Sequence, residues 1–397
     1  MPKSNRGLRS PSMKIIVAYP SLNSLGGAER LCMHVIKALR KRKYNVTLAT
    51  LDKTNWVLLR KVFDESFRPD GEFYLLSRIP EIPTLTLRQA FVALSYALEL
   101  FLITLKGNYD LLVNMGGEIM DSIGDMIYFN AIPLKLMHIY PQIQPRHNVQ
   151  WRCYSRLYSL LTRVLRSPST ITVTNSKFTQ DIIKKNLGRK ALVVHPPVDI
   201  QKIKSLMKNQ NRENIVVTVS RFRSAKGLEI IPKIAKHVEN CNFIVIGTAD
   251  VDSEECLKEI FERTKKLGVQ ARVRIFVNIS FSLVLEKLFT AKVFLHTQPT
   301  EAFGISIVEA MAAGCVPVVP KAGGPWFDIL NREQGKYGYA YSSLGEAAEK
   351  INLLMNDERL RTEISVRAFE RAKHFDRSIF EKKIVAVIHK VAVSKLK

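Results

Sequence analysis

At 397 residues the chain is too long for one ordinary domain, and two of roughly 150–200 residues is the natural division. The 46% hydrophobic content supplies ample core, with no low-complexity block to suggest disorder. Lys and Arg number 60 against 36 Asp and Glu, a net charge of +24, which favours anionic partners without choosing among them.

Residues 1–12 read as a basic tail with no signal-like apolar core. Lys14 to Tyr19 is a continuous apolar run, the mark of a strand buried on both faces in a parallel sheet. A glycine-bearing loop through Gly26 and Gly27 and a helix from Ala28 to about Arg42 follow, so a βα loop falls at a strand's carboxyl end, where open α/β sheets bind ligands. The loop is not GxGxxG. Asn45 to Leu51 reads as the next strand, Arg68 to Pro83 as turn-rich, Leu85 to Lys106 as helix and Asp110 to Asn114 as strand. The longest apolar run, Ala90 to Leu105, is shorter than a span of ~20 residues and contains Glu99, so it reads as a buried or interfacial helix. Pro133 to Tyr140 is predicted to carry a strand ending at His138, before a polar loop through Arg146. A helix rich in Arg and aromatics over 151–166 has either a solvated or a membrane-facing basic side. Ile171 to Asn175 reads as strand, Ser176 as an N-cap, and Lys177 to Lys185 as helix.

Lys202 to Asn214 is polar and reads as a linker, after which the βα rhythm restarts. The predicted organisation is a tail over 1–12, a Rossmann-like domain over 13–205, and a second over 206–376. A last helix, 377–397, packs back on the first domain. Both domains are α/β and doubly wound, and their facing edges are expected to form one cleft. Arg221 and Lys226 lie on the first strand-to-helix loop of the second domain, where a diphosphate needs fixed cations. They also read as surface cations of a basic chain. His138 has a structural reading beside its functional one. Asp250-Val251-Asp252 lacks histidine neighbours, the histidines show no paired ligand spacing, and no metal is expected. The five cysteines are scattered without a CxxC pair, which favours reduced thiols and an intracellular setting.

Residues 297–330 are the densest stretch. Glu301 and Glu309 stand eight positions apart around the turn Phe303-Gly304-Ile305. Helix Ser306 to Ala313 and strand Val316 to Val319 follow, then Gly323-Gly324. The glycines are expected to let backbone N–H groups approach a ligand. The pattern E-x-FG-x4-EAMA-x-G-x-PVV-x4-GG, with the early GG-x-ER loop, the segment Thr174 to Ser176 and the loop Ser220 to Gly227, resembles the family 4 retaining glycosyltransferases. Val277 to Thr297, Phe303 to Gly314, Gly323 to Leu330 and Met137 to Pro141 are most similar to the branch that extends dolichol-linked oligosaccharide from GDP-mannose with α-1,2-mannose.

The resemblance implies a GT-B fold and transfer of a hexose, most simply mannose, from a nucleotide sugar to a lipid-linked or glycan acceptor. The site is expected at an anionic membrane on the cytoplasmic side, with no cofactor and no nucleic-acid partner. It implies donor contacts from Gly27, Arg221, Lys226, Phe303, Gly304, Ile305 and Glu309. Glu301 and His138 are implied beside the transferred sugar. Tyr140 and Arg146 are expected on the acceptor side. A UDP-sugar transferase, an epimerase and a non-catalytic nucleotide-sugar or nucleic-acid binder are the alternatives.

Overall fold

The computed structural model describes residues 13–63, 67–82, 85–139, 170–207, 211–249 and 253–395, together with Tyr158 and Thr162. The chain divides into two compact units. One takes in residues up to 135, 147–173 and 381 onward; the other takes in 136–146 and 174–380.

The first half builds a seven-stranded sheet. Its elements in chain order are β1 (Lys14–Ala18), α1 (Gly27–Lys41), β2 (Asn45–Asp52), α2 (Trp56–Phe63), β3 (Gly71–Leu76), α3 (Leu85–Lys106), β4 (Leu111–Asn114), β5 (Met126–Phe129), β6 (Ile171–Thr174), α4 (Lys177–Leu187) and β7 (Ala191–Val193). The strand order is β3-β2-β1-β4-β5-β6-β7. The β1 pairings with β2 and β4 are parallel, and β1 sits at the centre with Val17 and Ala18 fully buried. That placement accounts for its unbroken apolar sequence, since a central strand meets helices on both faces.

Two readings are corrected here. Residues 134–139 form a 3-10 turn, Leu134–Ile139, and His138 therefore lies on that turn and not at a strand's end. The strand is Met126–Phe129, whose four buried residues take the place between β4 and β6 and leave 134–139 no position in the sheet. The stretch read as turn-rich contains β3. As an edge strand with one neighbour it is only half-buried, so it lacks a clear apolar signature. Helix α2 was also missed; only Leu59 in it is buried.

After α5 (Ile200–Leu206) the second half runs β8 (Glu213–Val219), α6 (Ile231–Lys236), β9 (Asn242–Gly247), α7 (Glu254–Lys266), β10 (Val273–Val277), α8 (Phe281–Thr290), β11 (Ala291–Leu295), α9 (Ile305–Ala312), β12 (Val316–Pro320), β13 (Tyr339–Tyr341), α10 (Leu344–Asn356), α11 (Glu358–Ala372) and α12 (Arg377–Lys395). Its six strands are ordered β10-β9-β8-β11-β12-β13. The order reverses between β8 and β11, and the loops that follow these two strands are therefore neighbours at a topological switch point. Two buried clusters cover the sheet, one including Phe294, Phe303 and Met311, the other Phe222, Phe243 and Leu354. Helix α12 carries Glu381, which pairs with Lys41 at 2.7 Å, and Lys395, which pairs with Asp125 at 2.9 Å.

Candidate active site

The loop after β8 is held by one deeply buried side chain. Phe222 is fully buried and its N–H donates to the Thr248 carbonyl at 3.0 Å. That anchor leaves Arg221 exposed on one side, and a 3-10 turn, Ser224–Lys226, on the other. Gly227 ends the turn with φ +65°, and a Cβ there would stand 3.3 Å from the Thr297 carbonyl. The loop after β11 is tied to it directly, because the Thr297 hydroxyl donates to the Lys226 carbonyl at 2.6 Å.

Side chains from both loops converge at this junction. Lys226 Nζ donates to Glu301 Oε2 at 2.7 Å and to Gln298 Oε1 at 2.6 Å, which leaves one N–H of the ammonium for a ligand. Burial by itself would raise the Glu301 carboxyl. The Lys226 ammonium, with smaller help from His296 and Arg221, outweighs it and brings the pKa down to about 2. Glu301 is therefore a carboxylate throughout the physiological range. His296, at the end of β11, is almost fully buried, with Nε2 3.9 Å from Glu301 Oε2. Burial lowers its pKa to about 4, with Glu301 opposing and Lys226 assisting, so at neutral pH the contact is not an ion pair. Among the described residues Nε2 has no hydrogen-bond partner, an arrangement that costs about 1–3 kcal/mol unless a ligand completes it.

The turn after Glu301 is built by packing. Phe303 is buried, its ring centroid 5.5 Å from that of His195 and 5.2 Å from that of Phe375. Gly304 takes φ +98° as the N-cap of α9, a conformation that strongly favours glycine. The amides of Phe303, Gly304 and Ile305 precede the first helical hydrogen bonds, at the positive end of the helix where an anion is favoured. Glu309 is one of six buried residues of α9. Gly323 and Gly324 have a different role from the one expected of them. The Gly324 N–H donates to the Glu301 carbonyl at 2.8 Å, and a Cβ on Gly324 would lie 2.0 Å from the Ala302 carbonyl oxygen. These glycines allow the loop after β12 to pack against the turn's backbone and so fix the Glu301–Phe303 geometry.

Asp328 completes the support. It is buried, and its carboxylate accepts the N–H groups of Lys177 at 2.7 Å and Phe178 at 3.2 Å, at the start of α4. His195 Nε2 lies 2.8 Å from the same carboxylate, which orients the ring that stacks near Phe303. Ser176 caps α4 as expected, accepting from the Thr179 N–H at 3.0 Å.

Arg221, Lys226, Glu301, Phe303, Gly304, Ile305 and Glu309 thus lie on the β8 loop, the β11 loop and α9 of one domain. Gly27 is the first residue of α1, whose Gly26 N–H donates to Glu29 Oε2 at 2.8 Å. Tyr140 and Arg146, the Asp250-Val251-Asp252 segment, and the helix expected over 151–166 (Tyr158 and Thr162 apart) lie outside the described residues. Sequence reasoning missed His296 and Gln298, although both stand between the end of β11 and Glu301, where a catalytic loop belongs. Asp328 lies in the Gly323 to Leu330 stretch, but its partners are some 130–150 positions away in sequence and leave no local signal.

Residues 199–371 match the family of glycosyl transferases group 1. Over 257 residues the chain is 28% identical to the GDP-Man:Man(3)GlcNAc(2)-PP-Dol alpha-1,2-mannosyltransferase of Dictyostelium discoideum, a match covering 59% of this chain and 50% of that protein. With the protein of the same name from Caenorhabditis elegans it shares 23% over 430 residues, 94% of this chain and 90% of the relative. The match thus spans about half the length of the first relative. Among solved structures, Anabaena HepE in complex with UDP and glucose superposes with a TM-score of 0.69 at 19% identity, covering 95% of this chain and all of that one. The shared architecture is GT-B, with two parallel-sheet, Rossmann-like domains.

Proposed function

We propose that the chain is a retaining α-mannosyltransferase that moves mannose from GDP-mannose to a lipid-linked oligosaccharide. The observation that carries this reading is the Lys226–Glu301 pair at 2.7 Å, set inside a group 1 domain whose relatives bear that activity in their names. Lys226 and Arg221 hold the donor diphosphate and offset charge on the departing nucleotide. The Phe303, Gly304 and Ile305 amides face the phosphates and sugar, and Glu309 accepts from the ribose hydroxyls. Glu301, ionised beside Lys226, stabilises the positive charge that develops on the sugar ring. His138 contacts the sugar hydroxyls, Gly27 the phosphates, and Tyr140 and Arg146 the acceptor. The C1–O bond to phosphate breaks, the acceptor oxygen bonds to C1 on the same face, and the acceptor proton passes to the leaving phosphate oxygen. Transfer needs no metal, since the two cations carry the charge neutralisation. The enzyme works peripherally at the cytoplasmic face of an anionic membrane.

Incubation with a panel of nucleotide sugars and polyprenyl-diphosphate oligosaccharides, read by mass spectrometry, is expected to give a product heavier by one hexose with GDP-mannose alone. No product with any donor would overturn the reading. A UDP-sugar donor is the second reading, favoured by the likeness to the UDP-binding HepE fold, and calorimetry with GDP and UDP separates the two.

A further inference from the structure

Helix α3 has two unlike faces. Ala93, Tyr96, Ala97, Leu100 and Ile103 are buried, and the Tyr96 hydroxyl donates to Asn114 Oδ1 of β4 at 2.8 Å. The opposite face carries Leu87, Leu94, Leu98, Phe101 and Leu105, all 40–66% exposed. At 100° per residue these five fall within about 60° of arc, a single stripe about 27 Å long. Scattered exposed apolar residues need no explanation, but five on one helical stripe do.

By length and composition residues 87–106 could cross a membrane. Their packing argues against it, because the buried face is fastened to the sheet and holds Glu99, which has no exposure. A helix held flat against a sheet can meet lipid only side-on. The charges beside the stripe indicate which lipid. Glu99 is the helix's one acid and is buried, so the helix itself sets no exposed carboxylate beside the stripe. Arg88 and Lys106 flank it on the same side, roughly a quarter turn away and about 27 Å apart. Lys106 is exposed, with its Nζ 4.8 Å from the Phe73 ring centroid, and Arg88 is half-buried, so both cations stand at the edge of the apolar face, near headgroup depth.

We propose that the exposed leucine stripe of α3 lies in the plane of an anionic lipid surface, with Arg88 and Lys106 at headgroup level. This rests on the peripheral-membrane reading above and names the face that performs it. A non-spanning apolar helix of this kind sinks its side chains about 5–10 Å into the headgroup and acyl boundary.

The test is flotation of the full chain with phosphatidylcholine vesicles, with and without phosphatidylserine. The chain is expected to float with the anionic vesicles. The triple variant Leu94→Ser, Leu98→Ser, Leu105→Ser is expected to lower partitioning at least about tenfold. The substitutions are at exposed positions, so the circular dichroism spectrum should be unchanged. If it changes, Leu98→Trp replaces them: its emission should be quenched by brominated lipid, while that of Val366→Trp, on an exposed site of α11, should not. Wild-type flotation by a folded triple variant, or an unquenched Leu98→Trp, overturns the proposal. So does a dimer in light scattering that Leu98→Ser splits, because the stripe would then cover a second copy. Calorimetry with GDP in the absence of vesicles keeps the two readings apart. GDP binding by a wild-type chain that does not float refutes the membrane reading and the docking face with it but leaves the transferase, flotation of the folded triple variant refutes the docking face alone, and flotation without GDP binding refutes only the transferase.

Discussion

Replacing Lys226 by Met removes the main charge that holds the Glu301 pKa down and leaves a carboxylate whose side chain is only 19% exposed. The Glu301 pKa is about 2 against an ordinary 4.5. At about 1.4 kcal/mol per pKa unit, the ionised state contributes roughly 3 kcal/mol to stability at pH 7. The folded pKa is depressed, so the contribution is fully present above pH ~4.5 and is lost as pH falls towards 2. By pH 3 about half should remain. His296, also depressed, to about 4, destabilises the fold in acid in the same sense, as the unfolded chain takes up its proton first. Lys226 supplies the largest favourable part of that balance, against burial and beside His296 and Arg221, so Lys226→Met is expected to lower the urea-unfolding free energy by an amount on the order of 3 kcal/mol at pH 7. The gap to wild type should narrow steadily on acidification to pH 3. A variant as stable as wild type at pH 7, or a gap independent of pH, would refute the assignment of Lys226 as the main charge that holds the Glu301 pKa down.

Other expectations follow from the same geometry. Asp328→Ala leaves two helix N–H groups and His195 without their acceptor and should cost about 3–5 kcal/mol, read by calorimetric unfolding; Asp328→Asn, which keeps an acceptor oxygen, should cost less. Glu99 is pushed up to about 8 by burial, with Asp52 adding to it, so its folded pKa lies above the unfolded one and stability falls as pH rises from ~4.5 to 8. Glu99→Gln should flatten that slope in melting temperature against pH; an unchanged slope would show that another group sets it. Gly324→Ala cannot fit against the Ala302 carbonyl without moving the turn. GDP affinity by calorimetry should therefore fall about tenfold or more, even if the domain still folds. Arg221→Ala, at an exposed position, should weaken GDP binding while leaving the melting temperature within a degree or two.

Much of this protein was legible from local pattern. Runs such as Lys14 to Tyr19 and Ile215 to Ser220 declare central parallel strands, because such strands are apolar on both faces. The last helix, expected over 377–397, runs Arg377–Lys395, and the two before it carry local start signals, with Ser343 and Asp357 capping α10 and α11. The motif from Glu301 to Gly324 carried the site because its residues are close in sequence as well as in space. Tertiary structure decided the rest. Only the sheet order could show that β5 displaces 134–139 from the sheet, or that β3 is an edge strand. The pairing of Asp328 with His195 and α4 spans more than a hundred residues and has no local signature. The same holds for the orphaned Nε2 of His296, the Gly324 contact and the two faces of α3. Burial and partnership are properties of how segments meet, and hydrophobic periodicity reports only which side of a segment faces inward.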